Sequence, residues 1–236
     1  MMEVLKRKQQ IAEARELLKR MNASTIEPKW RSRLRRVGIG KGIPVGDNVK
    51  SWDVYLTLDF LSRNVEKNAS ILDIGAYASE IIVALHKLGY VNLAAVDLNP
   101  NLMNMPFSDS IDYRISDFLH TPFEDASFNA ITSISVIEHG FDGEALMKEV
   151  SRLLLPNGYF IASFDYWPSK IDTSGSKFFG MDWLIFSSQD VDSLIDTAAR
   201  HGLEPVGNVD TSADQKAISC AGYDYTFGWL VFRKLP

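Results

Sequence analysis

The chain predicts an α/β protein built on a doubly wound, mostly parallel sheet, and three observations carry that expectation. The first is Ile71–Glu80, read as ILDIGAYASE: an apolar run, an acid and a glycine break before the amphipathic stretch Ile81–Leu88. Such a stretch is a buried strand ending in a tight turn that opens a helix. The second is the apolar run Val91–Val96 ending in Asp97, the position at which nucleotide-binding α/β folds set an acid against a ribose hydroxyl. The third is that strand-like and helix-like patterns go on alternating, with Phe128–Ser135, Asp142–Leu154, Tyr159–Phe164 and Gln189–His201, as βαβ units do.

Each element follows from its residues. The first turn needs a residue tolerating positive φ, which Gly75 supplies, and the helix behind it is expected to present unpaired N–H groups to an anionic or zwitterionic group. Upstream, Val4–Met21 has the apolar spacing of one amphipathic helix. A basic segment, Lys29–Arg36, and the Gly-rich connector Gly38–Pro44 follow. A charge run of this kind is ordinarily a solvated face or a subunit contact, and contact with nucleic acid, anionic lipid or a phosphorylated substrate is the sharper alternative. Ser51–Val65 reads as a helix capped by Ser51, with Tyr55 as packing or as a wall of the ligand site. Asp165–Trp183 is long for an internal connection and dense in aromatic and polar groups, the mark of a substrate-binding lid. Ser187 or Ser188 caps the next helix and Gly202 stops it. Leu203–Val209 and Tyr225–Arg233 read as the closing strands around a loop, Thr211–Asp224.

Taken together, Asp73-Ile74-Gly75, Asp97, Ser116-Asp117-Phe118 and Ser135-Val136-Ile137-Glu138-His139 resemble the successive motifs of the class I S-adenosylmethionine-dependent methyltransferases. The resemblance spans Ser70–Phe164 as its core. It implies a Rossmann-like sheet of seven strands with an antiparallel last strand, and S-adenosylmethionine as cofactor. It places Asp73, Gly75, Ala76 and Tyr77 at the cofactor turn, Asp97 and Leu98 after the second strand, Asp117 near the adenine amine with Phe118 against the ring, and Ser135 at the end of the central strand. The chain departs from the family's G-x-G-x-G turn, having Gly75, Tyr77 and Ser79. A dinucleotide pyrophosphate needs bare glycine backbone, and Glu80 is expected to repel it. S-adenosylmethionine has no phosphate and favours nearby carboxylates such as Asp73. The same departures leave a degenerate, weakly binding site open.

Composition bounds the rest. At 236 residues, 46% of them apolar, the chain suits one domain plus an extension. The lone Cys220 excludes an intramolecular disulfide and a cysteine-rich metal site. No apolar run approaches the roughly 20 residues of a membrane span, and the absence of an apolar leader behind Met1 leads us to expect a cytoplasmic protein. Residues 1–50 hold 13 Lys and Arg against 5 Asp and Glu, a balance of +8 that leaves −13 for the remainder. The expected organisation is a basic helical extension over 1–50 and a methyltransferase domain over 51–236, with a homodimer through the extension left open.

Methyl transfer from a sulfonium mainly requires placement of the acceptor, and a hydroxyl acceptor must also lose a proton to a base. His139 follows the central strand and is the first candidate base, with Asp165 second; Glu138, Tyr166 and Trp167 are the candidate substrate contacts. Ser135, three residues before Glu138, is a poor metal ligand, so no metal is expected. The expected activity is O-methylation of a small molecule, anionic or glycan in character, such as a saccharide or sugar-linked intermediate. Two rivals stand beside it: a catalytically silent scaffold, motivated by Tyr77 and Ser79, and a nucleic-acid methyltransferase using the basic head. Against the latter stand the acidic body and Ser135–Glu138 in place of an Asn-Pro-Pro-Tyr-like amine site. A nicotinamide-dependent dehydrogenase ranks last.

Overall fold

The computed structural model describes residues 1–26 and 43–236. The basic segment Lys29–Arg36 and the connector up to Gly42 lie outside the described residues.

The frame is a run of parallel strands: β2 (Ser70–Ile74), β3 (Asn92–Asp97), β4 (Ile111–Ile115) and β5 (Phe128–Ile134). Parallel strands need cover on both faces, and β2 shows why these residues comply. Ile71 packs into the core under α1 (Gln9–Arg20), α2 (Ser51–Asn64) and α3 (Glu80–Lys87). Leu72 and Ile74 point the other way, into the core under α4 (Gly143–Leu153) and α5 (Ser188–Arg200). β6 (Leu154–Tyr166) continues the parallel set, and β11 (Tyr223–Lys234) pairs with it antiparallel. With β1 (Met2–Val4) at one edge, the order across the sheet is β1-β11-β6-β5-β2-β3-β4, with β9 (Leu203–Pro205) and β10 (Ile218–Cys220) also on β11. The mostly parallel, doubly wound sheet and the antiparallel late strand are as the sequence predicts.

Several elements differ from expectation. Val4–Met21 is not one helix: Met2–Val4 form strand β1, pairing antiparallel with Gly228–Leu230, and the helix starts at Gln9. The first residues are thus part of the sheet, and the division at residue 50 does not fall between two structural units. Ser51 does not cap α2. A 3-10 turn, Asn48–Lys50, precedes it, capped by Asp47, whose carboxylate accepts from the Val49 amide. The strand expected to start at Tyr159 begins at Leu154, and Pro156-Asn157-Gly158 form a bulge inside β6, where the register with β5 slips between Phe128 and Ala130. The expected lid contains a hairpin, β7 (Lys177–Phe178) and β8 (Met181–Asp182), turned by Phe179 and Gly180, both at positive φ. The expected loop Thr211–Asp224 likewise holds β10. Ser187 is the cap of α5, in a reciprocal capping box with Asp190.

Candidate active site at the carboxyl ends of the strands

Gly75 and Ser135 close neighbouring strands, since Asp73 of β2 is in register with Thr132 of β5. Gly75 has φ +68, and a Cβ there would lie 2.3 Å from Val136 Cγ2, so no side chain fits. Near it, the non-glycine residues Ala78, at φ 61, and Ser135, at φ 54, also adopt the strained left-handed region. Such residues cost about 1–3 kcal/mol each and concentrate at functional sites. The departure at Ser79 has a local reason: it is the N-cap of α3, accepting from the Ile81 amide at 3.2 Å.

The turn is not the row of open donors that the sequence suggests. The amide of Ala76 donates to the Val96 carbonyl and that of Ser79 to the Ala76 carbonyl. The Tyr77 amide donates to Asp97 Oδ2 at 2.9 Å. Nor does Glu80 stand as a free negative charge. It is buried against Arg15 of α1, whose guanidinium grips both carboxylate oxygens at 2.7 and 2.8 Å, and the Thr25 amide also donates to it. Glu80, neutralised by Arg15, therefore does not repel a pyrophosphate as its position in the sequence suggests. What the site offers is acceptors: Asp73 and Asp97 at the turn, Glu138 and Asp165 beside it. A donor set this short of N–H groups suits a cationic, hydroxyl-bearing ligand over a phosphate.

Asp97 holds the Tyr77 amide on one oxygen and the Asn99 amide on the other, leaving further lone pairs to accept. Asp73 accepts from the Thr132 hydroxyl at 2.6 Å, while its Oδ2 is buried without a partner. Burial raises its pKa to about 6. Leu98 is 57% exposed beside Asp97. Asp117 is exposed and accepts from the Leu119 amide two residues on, a loop cap, and Phe118 packs against the α4–α5 core. Tyr55 and Tyr77 are half-buried against the other core.

A second group gathers above β5 and β6. Lys50, from the 3-10 turn, donates its ammonium to Ser135 Oγ, lies 3.9 Å from Asp165 Oδ1 and sits 3.9 Å from the centre of the Phe227 ring. Asp53, fully buried in the first turn of α2, accepts from the Ser163 hydroxyl at 2.8 Å, and Ser163 Oγ in turn accepts from the Ser135 amide at 3.1 Å. Asp165 Oδ2 accepts from the Trp183 indole at 2.9 Å. Glu138 Oε2 and Asp165 Oδ1 are both buried without a partner among the described residues. Burial and the adjacent Asp165 push Glu138 well above the ordinary carboxylate range, against the pull of Lys50. Burial also raises Asp53 to about 6, and burial with Asp165 alongside pushes the Tyr225 phenol upward.

The lid lies over this group. The backbone of His139 bridges to Trp183, the Gly140 amide donates to the Asp182 carbonyl, and the Leu184 amide to that of Glu138. Burial, with the Lys50 charge beside it, lowers the His139 pKa to about 4, so its ring is neutral, with Nδ1 unpartnered, between Phe178 and Phe179. Tyr166 is a correction. Strand β6 runs on to include it, so it points to the face opposite Asp165, fully buried, with its hydroxyl bonded to Ser188 and the Thr211 carbonyl. It is a core residue and not a substrate contact. Trp167 is half-buried in the wall on the α1–α3 side, with Lys216 over its ring. Lys50, Asp53 and Trp183 were missed, because each reaches the site through a contact distant in sequence.

A cavity of about 480 Å³ opens on the lid side, lined among others by Phe141, Asp172, Ser176 and Trp183. Another of about 490 Å³ is at the opposite, amino ends of the strands, near Ser70, Asn92 and Phe128. Among the described residues, no cluster of His, Cys, Asp and Glu has the arrangement of a metal site, and no helix is long and apolar enough to cross a membrane.

Comparison with known proteins fits this geometry. Residues 72–162, which run from within β2 to within β6 and include the carboxylates Asp73, Asp97 and Glu138, match the profile of a methyltransferase domain family. Over that stretch the chain is a class I S-adenosylmethionine-dependent methyltransferase domain. It is 28% identical over 121 residues to a ubiquinone biosynthesis O-methyltransferase of Xanthomonas oryzae pv. oryzae, covering 48% of this chain and 50% of that one. The chain therefore spans about half the length of the curated relatives it matches. Among solved structures, the domain resembles the N1-methyltransferase of 1,6-didemethyltoxoflavin from Burkholderia thailandensis, bound to its substrate and S-adenosylhomocysteine, with a TM-score of 0.58 at 16% identity over 78% of this chain and 79% of that one. It also resembles the [4+2]-cyclase SpnF, with a TM-score of 0.62 at 13% identity over 99% and 98% of the chains. That a cyclase shares the fold so fully means the chemistry must be argued from the site.

Proposed function

We propose that the protein is an S-adenosylmethionine-dependent methyltransferase acting on a hydroxyl of a small molecule, with a saccharide or sugar-linked intermediate as the acceptor class. The observation that carries this reading is the pair of buried, unpartnered carboxylate oxygens, Glu138 Oε2 and Asp165 Oδ1, beside the turn formed by Gly75 and Asp97. S-adenosylmethionine supplies an electrophilic methyl group on a sulfonium. Asp97 accepts from ribose hydroxyls, Asp73 Oδ2 and the Gly75–Tyr77 backbone hold the amino-acid end, and Ser135 borders the reacting centre. Glu138 takes the role that sequence alone gives to His139. Burial and the neighbouring Asp165 raise the proton affinity of Glu138, the direction a base needs, whereas a His139 lowered to about 4 is a weak one. The hydroxyl proton passes to Glu138 Oε2, while Lys50 and Trp183 fix Asp165 alongside. The lid, with its aromatic wall and Asp172, Ser174 and Ser176 around the cavity, suits a polyhydroxylated acceptor.

Calorimetry with S-adenosylmethionine is the test. Wild type should bind in the micromolar range and Asp97→Ala should not; no binding to wild type refutes the reading and returns the silent scaffold to first place. With an acceptor found by screening sugars and phenols, Glu138→Gln should lose about 10² to 10⁴ in kcat while still binding the cofactor.

A further inference from the structure

Lys50 is the one ammonium, among the described residues, that enters the buried acidic group. Three carboxylates surround that place from three elements: Asp53 on α2, Glu138 after β5 and Asp165 on β6, each at most 4% exposed. Facing them are neutral groups, the His139 ring, the Tyr225 phenol and the Trp183 indole, and Phe227 supplies an aromatic floor under the ammonium. Two of the carboxylates have a buried oxygen that accepts no hydrogen bond from the described residues, Glu138 Oε2 and Asp165 Oδ1. Carboxylates over an aromatic face form a seat for a cation. Lys50 fills it incompletely, at 3.9 Å from Asp165, and its own side chain is 26% exposed, so the seat is open on the Lys50 side. It also adjoins the cofactor turn, since Val136, next to Ser135, packs directly on Gly75.

We propose that Ser135, Glu138, Asp165 and Phe227 form a cation seat whose incoming occupant is the sulfonium of the methyl donor, and that Lys50 is a tethered occupant which yields it. The inference rests on the proposed function and adds a discrimination to it. The seat distinguishes the charged donor from its neutral thioether product, and the returning Lys50 ammonium favours product release. Before the donor enters, the Lys50 ammonium offsets part of the negative charge of the carboxylates.

The experiment compares dissociation constants for S-adenosylmethionine and S-adenosylhomocysteine by calorimetry, in wild type, Lys50→Met and the isosteric Glu138→Gln. Methionine keeps the apolar stem over Phe227 and removes the competing charge, so the preference for the cation over the thioether should rise about tenfold. Glu138→Gln, which weakens the seat without emptying it, should lower that preference below wild type. Both ligands binding with an unmoved ratio in either folded variant overturns the cation seat and leaves the methyltransferase reading standing. Failure of wild type to bind either ligand overturns both. Runs in buffers of different ionisation enthalpy add a second readout: the cation should release protons from the carboxylates on binding, and the thioether should release fewer.

Discussion

Asp73 and His139 pull the pH dependence of stability in opposite directions. Asp73 binds its proton more tightly folded than unfolded, with a pKa raised from 3.8 to about 6. Its contribution to stability is therefore present at acid pH and lost as pH rises through that window. His139, lowered from 6.5 to about 4, contributes above 6.5 and loses its contribution as pH falls toward 4. Asp73→Asn should gain on wild type as pH rises from 4 to 6, in thermal melts, and a difference independent of pH would show that Asp73 is not held in its raised state. At this scale the sequence was legible wherever a residue acts on its own neighbours. Gly75 had to turn the chain, Asp97 had to stand at a strand end, and both do. It was illegible for Lys50 and Asp53, whose partners Ser135 and Ser163 are 85 and 110 residues away. Tyr166 was misread because the strand was ended at Phe164. Two more residues of strand send Asp165 and Tyr166 to opposite faces.

Helix α5 and the lid show how elements are fixed. The reciprocal box of Ser187 and Asp190 satisfies amides that the helix leaves open, and Lys170 from the lid reaches the same Asp190 at 2.8 Å. Ser187→Ala should cost about 1 kcal/mol in urea unfolding and loosen the attachment of the lid. Trp183 ties the lid to the floor, with its indole on Asp165 and its ring edge-on to Phe178, Tyr223 and Tyr225. Trp183→Phe keeps the packing and removes that hydrogen bond. It should raise KM for the acceptor and leave the affinity for S-adenosylmethionine near wild type; equal loss of both would place Trp183 in the general core. A sequence signals such a lid by its length and aromatics, but not which aromatic carries the polar contact.

For the whole molecule, Arg15 is the tie between layers. Besides Glu80 it reaches Ser51 Oγ at 2.9 Å, Ser24 Oγ and the Asp47 carbonyl, so one guanidinium joins α1, the segment that carries Lys50, and the helix behind the cofactor turn. Both charges are buried, and removing one leaves the other unpaired. Arg15→Met should cost about 3–5 kcal/mol. Arg15→Met with Glu80→Gln should recover much of that, and a double variant no better than the single one would mean that the other contacts of Arg15 dominate. The acid at Glu80 was legible from sequence as a charge near the turn. Its cancellation by a residue 65 positions earlier was not.

The pairing of β1 with β11 sets Met2 opposite Leu230 and Val4 opposite Gly228. During synthesis, β1 must wait for β11, made far later, before its edge of the sheet can zip. Until then Met2 and Val4, both buried in the finished core, have nothing to lie against. A pairing so distant in sequence carries a large loop-closure cost, so an emerging chain passes through a stage in which much of the sheet is present and its outer margin is still adhesive.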